Sequence, residues 1–102
     1  MVQVIENWSE IRGRVRELRP DPELPGQLLA TVDVEDAQPV AKPDGGTFPN
    51  LLEDCAGSAV DVYVPEETAT QHGLSPGATI SARVRRATPT RSFVDPGSLL
   101  AQ

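Results

Sequence analysis

Residues 9–19, SEIRGRVRELR, place Ile11, Gly13 and Val15 on one parity and Arg12, Arg14 and Arg16 on the other. Successive side chains of a strand point to opposite faces, so this spacing predicts a β-strand with an apolar face and an arginine face. Gly13 falls on the apolar face, where a missing side chain marks a bend or a close backbone approach. Leu18 falls on the arginine parity, and a bulge around Arg16–Leu18 would return it to the core side. Three later stretches repeat the period of two: GQLLATVDVED (26–36), SAVDVYVP (58–65) and ATISARVRRA (78–87). Together they predict a small antiparallel barrel closed around the first strand.

The inward set in the second strand is Leu28, Ala30, Val32 and Val34. In the third it is Val60, Val62 and Val64, and in the fourth Ile80, Ala82 and Val84. Between the third and fourth strands, Pro65-Glu66-Glu67 opens a short helix. Proline suits the first helical position and acids suit the first turn. Gly73 stops the helix, with Leu74 placed for the accompanying apolar contact. Arg91–Val94 reads as a short fifth strand. Asp95-Pro96-Gly97 ends it, leaving residues 96–102 as a tail. Residues 37–57 have no sustained period and contain the turn signal Asp44-Gly45-Gly46. They are expected to form the mobile loop of a single domain spanning 1–102, with its core at about 9–95. Trp8, in the lead-in segment, is expected to plug one barrel end, or else to offer a stacking platform for a base.

Ten prolines and eight glycines in 102 residues mean short elements and many turns, which favours an all-β chain over a bundle. The net charge of −6 is unevenly spread. Residues 1–19 sum to +1, residues 20–79 to −10 and residues 80–102 to +3, and every base except Lys42 is arginine. Such a chain does not attract polyanions indiscriminately. Cys55 is the sole cysteine, which allows no intrachain disulfide and suits a reducing compartment. The first ten residues lack the basic region and apolar run of a leader. No apolar run is long enough to span a membrane. The expectation is a cytoplasmic protein that does not enter membranes.

The order strand, strand, strand, helix, strand, short strand resembles the oligonucleotide/oligosaccharide-binding (OB) fold. The resemblance rests on Gly13-Arg14-Val15, on Val60-Asp61-Val62-Tyr63-Val64-Pro65 running into a helix, and on Leu74-Ser75-Pro76-Gly77-Ala78-Thr79-Ile80. It implies a five-stranded Greek-key barrel with ligands over the face of strands 2 and 3. It also implies that the first strand pairs with both the second and the fourth. Arg12, Arg14 and Arg16 would then stand beside Arg83 and Arg85, and like charges set opposite each other destabilise a sheet. Three readings follow. The stripe tracks phosphates, for which arginine forks are suited; it docks on a protein, since interfaces are enriched in arginine; or it is neutralised by Asp33, Glu35, Glu10 and Glu17. The strand 2–3 face offers Tyr63 as its only aromatic among Asp33, Glu35 and Asp61, which is poor for single-stranded nucleic acid.

His72 and Cys55 are too few to hold a metal. Glu53-Asp54 and Glu66-Glu67 are neighbours in sequence, which does not set two carboxylates across a substrate. No glycine loop cradles a phosphate, no cofactor motif is present, and enzymatic activity is not expected. The residues expected to bind a partner are Arg12, Arg14, Arg16, Arg83, Arg85 and Tyr63. The partner expected is single-stranded DNA or RNA, with a protein as the alternative.

Overall fold

Strand β1 (Ser9–Pro20) shows the alternation its sequence dictates: Ser9, Ile11, Gly13 and Val15 are buried and the arginines between them are exposed. The computed structural model describes residues 5–101. β1 is long enough to pair on both edges, with β2 (Gln27–Pro39) on one and β4 (Thr79–Thr88) on the other. β3 (Ala59–Pro65) follows β2, and β5 (Arg91–Val94) lies between β3 and β4. The five strands close a ring in the order β1-β2-β3-β5-β4 and back to β1. The protein is all-β and barrel-like. The ring is antiparallel except at one seam, where β3 meets β5 in parallel through Tyr63 and Phe93.

The bulge expected near Arg16 is present. Val15 faces Val32 and Glu17 faces Thr31, so Arg16 has no opposite residue. This slip returns Leu18 to the core side, where it packs against the barrel interior. At Gly13 the backbone of β2 comes close to β1. A Cβ there would lie 2.2 Å from the Asp33 carbonyl oxygen and 3.0 Å from Val32 Cγ1. No side chain fits at that distance, so glycine is obligatory.

Inside the ring, Ile11, Val15, Ala30, Val32, Val34, Val62, Val64, Ile80, Ala82 and Val84 form one core. α1 (Glu66–Gln71) covers one end, burying Thr68 and Ala69. Pro65 sits one position before the helix rather than at its first turn. The helix ends as its sequence requires. The His72 N–H donates to Thr68 O at 3.1 Å, and Gly73, at φ 61, brings Leu74 back onto the core.

Two expectations are corrected. Residues 37–57 are not one irregular loop. β2 continues to Pro39, and Ala41 bridges Thr47 across a small hairpin whose tip uses Gly45 (φ 96) and Gly46 (φ 74). Leu52 is then fully buried, and Cys55 packs beside the core at the end of a 3-10 turn (Glu53–Cys55). The segment lacks a period because it adds single side chains to the core rather than a face. Residues 96–101 are not a free tail either. Asp95 Oδ1 accepts from the Gly97 N–H at 3.2 Å, which starts a 3-10 turn at Pro96–Ser98. Leu99 is buried, and β6 (Leu100–Ala101) adds to β4 opposite Ile80 and Ser81. One large apolar residue, Leu99, has enough surface to draw this segment in, at roughly 1.5–3 kcal/mol for full burial.

The core also extends before residue 9. Asn7 is buried, its Nδ2 donates to the Arg86 carbonyl at 2.9 Å, and its Oδ1 accepts from the Arg86 N–H at 2.9 Å. One side chain thus reproduces a step of strand pairing beyond the end of β1. Residues 1–4 of the expected lead-in lie outside the described residues.

Candidate functional site

The arginine face of β1 is interleaved with acids and hydroxyls. On the β4 side, Arg14 lies opposite Thr79 and Arg12 opposite Ser81, while Arg83 lies opposite Glu10. The register therefore avoids the stacked like charges expected from the sequence. Arg85 lies beyond the β1–β4 ladder, with Phe93 facing it from β5. On the β2 side, an Arg12 nitrogen is 3.5 Å from Glu35, and Arg16 donates through two nitrogens to the Asp33 carboxylate. The expected contiguous stripe is thus two neutralised arginines on the β2 side, with Arg83 diagonal to Arg12 and Arg85 further along. Arg14, Arg83 and Arg85 have no ion-pair partner among the described residues. The pairs that form are exposed, so each contributes only about 0–1 kcal/mol.

Tyr63 does not offer the open ring expected on the strand 2–3 face. It is 5 % exposed, stacked on Phe93 with centroids 5.1 Å apart, and overlain by the Arg91 guanidinium at 5.9 Å. Its hydroxyl donates to Asp21 at 2.5 Å, and Arg91 pairs with Glu23 at 2.6 Å. These contacts fasten the β1–β2 connection to β5. The phenol's hydrogen bond holds the Asp21 carboxyl below its ordinary value, helped by the Glu23 N–H. The same bond, together with burial, pushes the Tyr63 phenol up. The rest of this face shows Leu29, Thr31 and Asp33 beside Asp61 and Ala59, and Thr31 Oγ1 donates to Asp61 at 2.6 Å.

The chain has one tryptophan, one tyrosine and two phenylalanines. Tyr63 and Phe93 are tied to each other; Trp8 and Phe48 line a surface cleft. Trp8 does not plug the barrel end. It is half-buried, and its backbone N–H donates to Pro49 O at 3.2 Å. The cleft, a cavity of about 230 Å³, is lined by Trp8, Val40, Ala41, Pro43 and Phe48 together with Arg83 and Asp95. Lys42 lies over the Phe48 ring at 5.5 Å. The aromatic walls come from the segment just before β1, clamped by Asn7, and from the hairpin after β2, closed by the Phe48 N–H donating to Val40 O at 2.9 Å; β4 adds Arg83 and the turn after β5 adds Asp95. Phe48 and Val40 were not legible as site residues. The signal available was Asp44-Gly45-Gly46 between two apolar positions, which reads as a hairpin turn.

His72 is exposed at the end of α1 and Cys55 is half-buried against the core. Among the described residues no three His, Cys, Asp or Glu side chains gather as a metal site. No helix among them is long and apolar enough to cross a membrane. No family model, curated protein or solved structure matches this chain.

Proposed function

We propose that this chain is a small β-barrel interaction module that docks on a protein partner, with the Trp8–Phe48 cleft receiving the partner's anchor side chain. The observation that carries this reading is that Trp8 and Phe48, the two aromatics outside the Tyr63–Phe93 stack, meet in one cleft lined also by Arg83 and Asp95. Tryptophan and arginine around a pocket are the residues that dominate binding energy at protein interfaces. A cavity of about 230 Å³ suits one large side chain or a short proline segment, the latter being a common guest of aromatic grooves. The surroundings do not favour a polyanion: Asp95 lines the cleft beside Arg83, and Glu6 and Asp44 line the neighbouring hollow beside Lys42. The chain carries −6 overall.

The second reading is a nucleic-acid-binding module of the OB type. In its favour are the ring order β1-β2-β3-β5-β4, the helix between β3 and β4, and two arginines of β4, Arg83 and Arg85, with no ion pair among the described residues. The sole tryptophan separates the two. Peptides selected from a displayed random library should perturb Trp8 fluorescence, with a salt-insensitive affinity that Trp8→Ala abolishes. Labelled single-stranded DNA and RNA should not bind at low ionic strength. Nucleic-acid binding that weakens steeply with salt, and whose salt slope flattens in Arg14→Ala/Arg83→Ala, would replace the first reading with the second.

A further inference from the structure

β4 leaves β1 before β1 ends. The Val15 N–H donates to Ala78 O at 2.8 Å and Val15 O accepts from the Gly77 N–H at 2.7 Å. Beyond that point the bulged Arg16 has no opposite residue and Glu17–Pro20 pairs with β2 alone. The other edge of this stretch has no backbone partner among the described residues. An open strand edge is a template for another strand, and proteins commonly blunt such edges with charge. Here the charges are of both signs and are symmetric about Leu18: Glu17 precedes it and Arg19 follows it, on the outer face that Leu18 does not share. Pro20, with no N–H to offer, limits any added pairing to about four residues.

We infer that Arg16–Arg19 is a self-pairing edge and that its partner is a second copy of this chain. In an antiparallel pair centred on Leu18, Glu17 of each copy faces Arg19 of the other. Both residues remain accessible for this. Their side chains are 59 % and 41 % exposed, and the 3.3 Å contact within one copy uses one Glu17 oxygen. The two pairs then merge into a four-charge ring on the outer face. On the inner face the two half-exposed Leu18 side chains meet and complete each other's burial. Opposite charges across a strand pair stabilise it and like charges destabilise it, so the register is fixed by sequence. β3-β2-β1 of one copy and β1-β2-β3 of the other become one continuous sheet. The interface is short, and the dimer is accordingly weak and reversible. It lies at the far end of β1 from Trp8, outside the residues that line the cleft.

Sedimentation equilibrium from micromolar to millimolar protein tests this. The wild-type chain should show a monomer–dimer equilibrium that Trp8→Ala leaves unchanged. Glu17→Arg and Arg19→Glu should each weaken the dimer by about tenfold or more, because each sets two like-charge pairs across the edge. The double exchange Glu17→Arg/Arg19→Glu should restore it. Mixing the two single variants should give a heterodimer tighter than either homodimer, since an edge with arginine at both positions then meets an edge with glutamate at both. Thermal melts of the variants check that each is folded, since Glu17 is exposed and Arg19 half-buried. A wild-type chain that stays monomeric at millimolar concentration overturns the inference. So does a dimer indifferent to every one of these exchanges.

Discussion

Gly13 and Tyr63 show how one atom or its absence holds two strands. At Gly13 the close approach of β2 leaves no room for a methyl group, since the added carbon would sit inside the Asp33 carbonyl. Gly13→Ala is expected to cost at least the roughly 1–3 kcal/mol of an overpacked core, because the obstruction is backbone and cannot rotate away. Gly77→Ala, in open space at φ 97, should cost about 1–3 kcal/mol of backbone strain alone, without the backbone clash that adds to the cost at Gly13. Urea unfolding of the two variants measures the difference. The need for glycine at position 13 was legible from its parity alone. The fate of Tyr63 was not: its outward parity is plain in the sequence, but its cover, Phe93 and Arg91, comes from a strand that had to close the ring first. Its bond to Asp21 has a pH signature. The depressed carboxyl contributes stability that is present above about pH 4 and lost as pH falls through its folded value. The raised phenol contributes stability that is present below about pH 10 and lost as pH rises. Tyr63→Phe should remove the alkaline flank and shrink the acid one, which the Glu23 N–H still sustains, so wild-type and variant melting temperatures differ most between the two extremes.

The elements divide by whether their apolar residues repeat. β1 to β4 present whole faces, and a face of period two is visible in any sequence. The segments at 40–57 and 96–101 present one or two side chains each, at intervals set by turns. A single buried leucine leaves no periodic trace. Leu52, fully buried within the segment after β2, is the sharpest case. Leu52→Ala should cost about 2–5 kcal/mol, as for other buried leucines. A glycine insertion between Gly45 and Gly46, at the exposed hairpin tip, should leave stability unchanged within error. Denaturant midpoints of the two variants would return this segment to the status of a free loop if neither moved.

For the molecule as a whole, strand identity was legible in the sequence and strand register was not. The outward parity of Arg12, Arg14 and Arg16 follows from the period of two, yet their neighbours depend on which residue of β4 meets which residue of β1. A shift of two positions would have set Arg83 opposite Arg12, and the observed register sets Glu10 there instead. Charge pairing across strands is one force that selects between such registers once the apolar faces have fixed parity. The candidate surface is equally a product of register. Trp8 and Phe48 come together only because the Asn7 clamp and the hairpin at 41–47 bring two distant turns to one end of the ring.

The double pairing of β1 also governs the order of events when the chain assembles. β2 follows β1 at once, but the other edge of β1 waits for β4, with Ser9 meeting Val84 across most of the chain's length. A growing polypeptide therefore holds β1 half-satisfied until β4 exists. The entropy of closing so long a loop is lost before the contacts that reward it form, which places this barrel among the slower folders of its size. During synthesis the arginine-studded β1 waits longest for its second neighbour, and its charges keep it in water meanwhile.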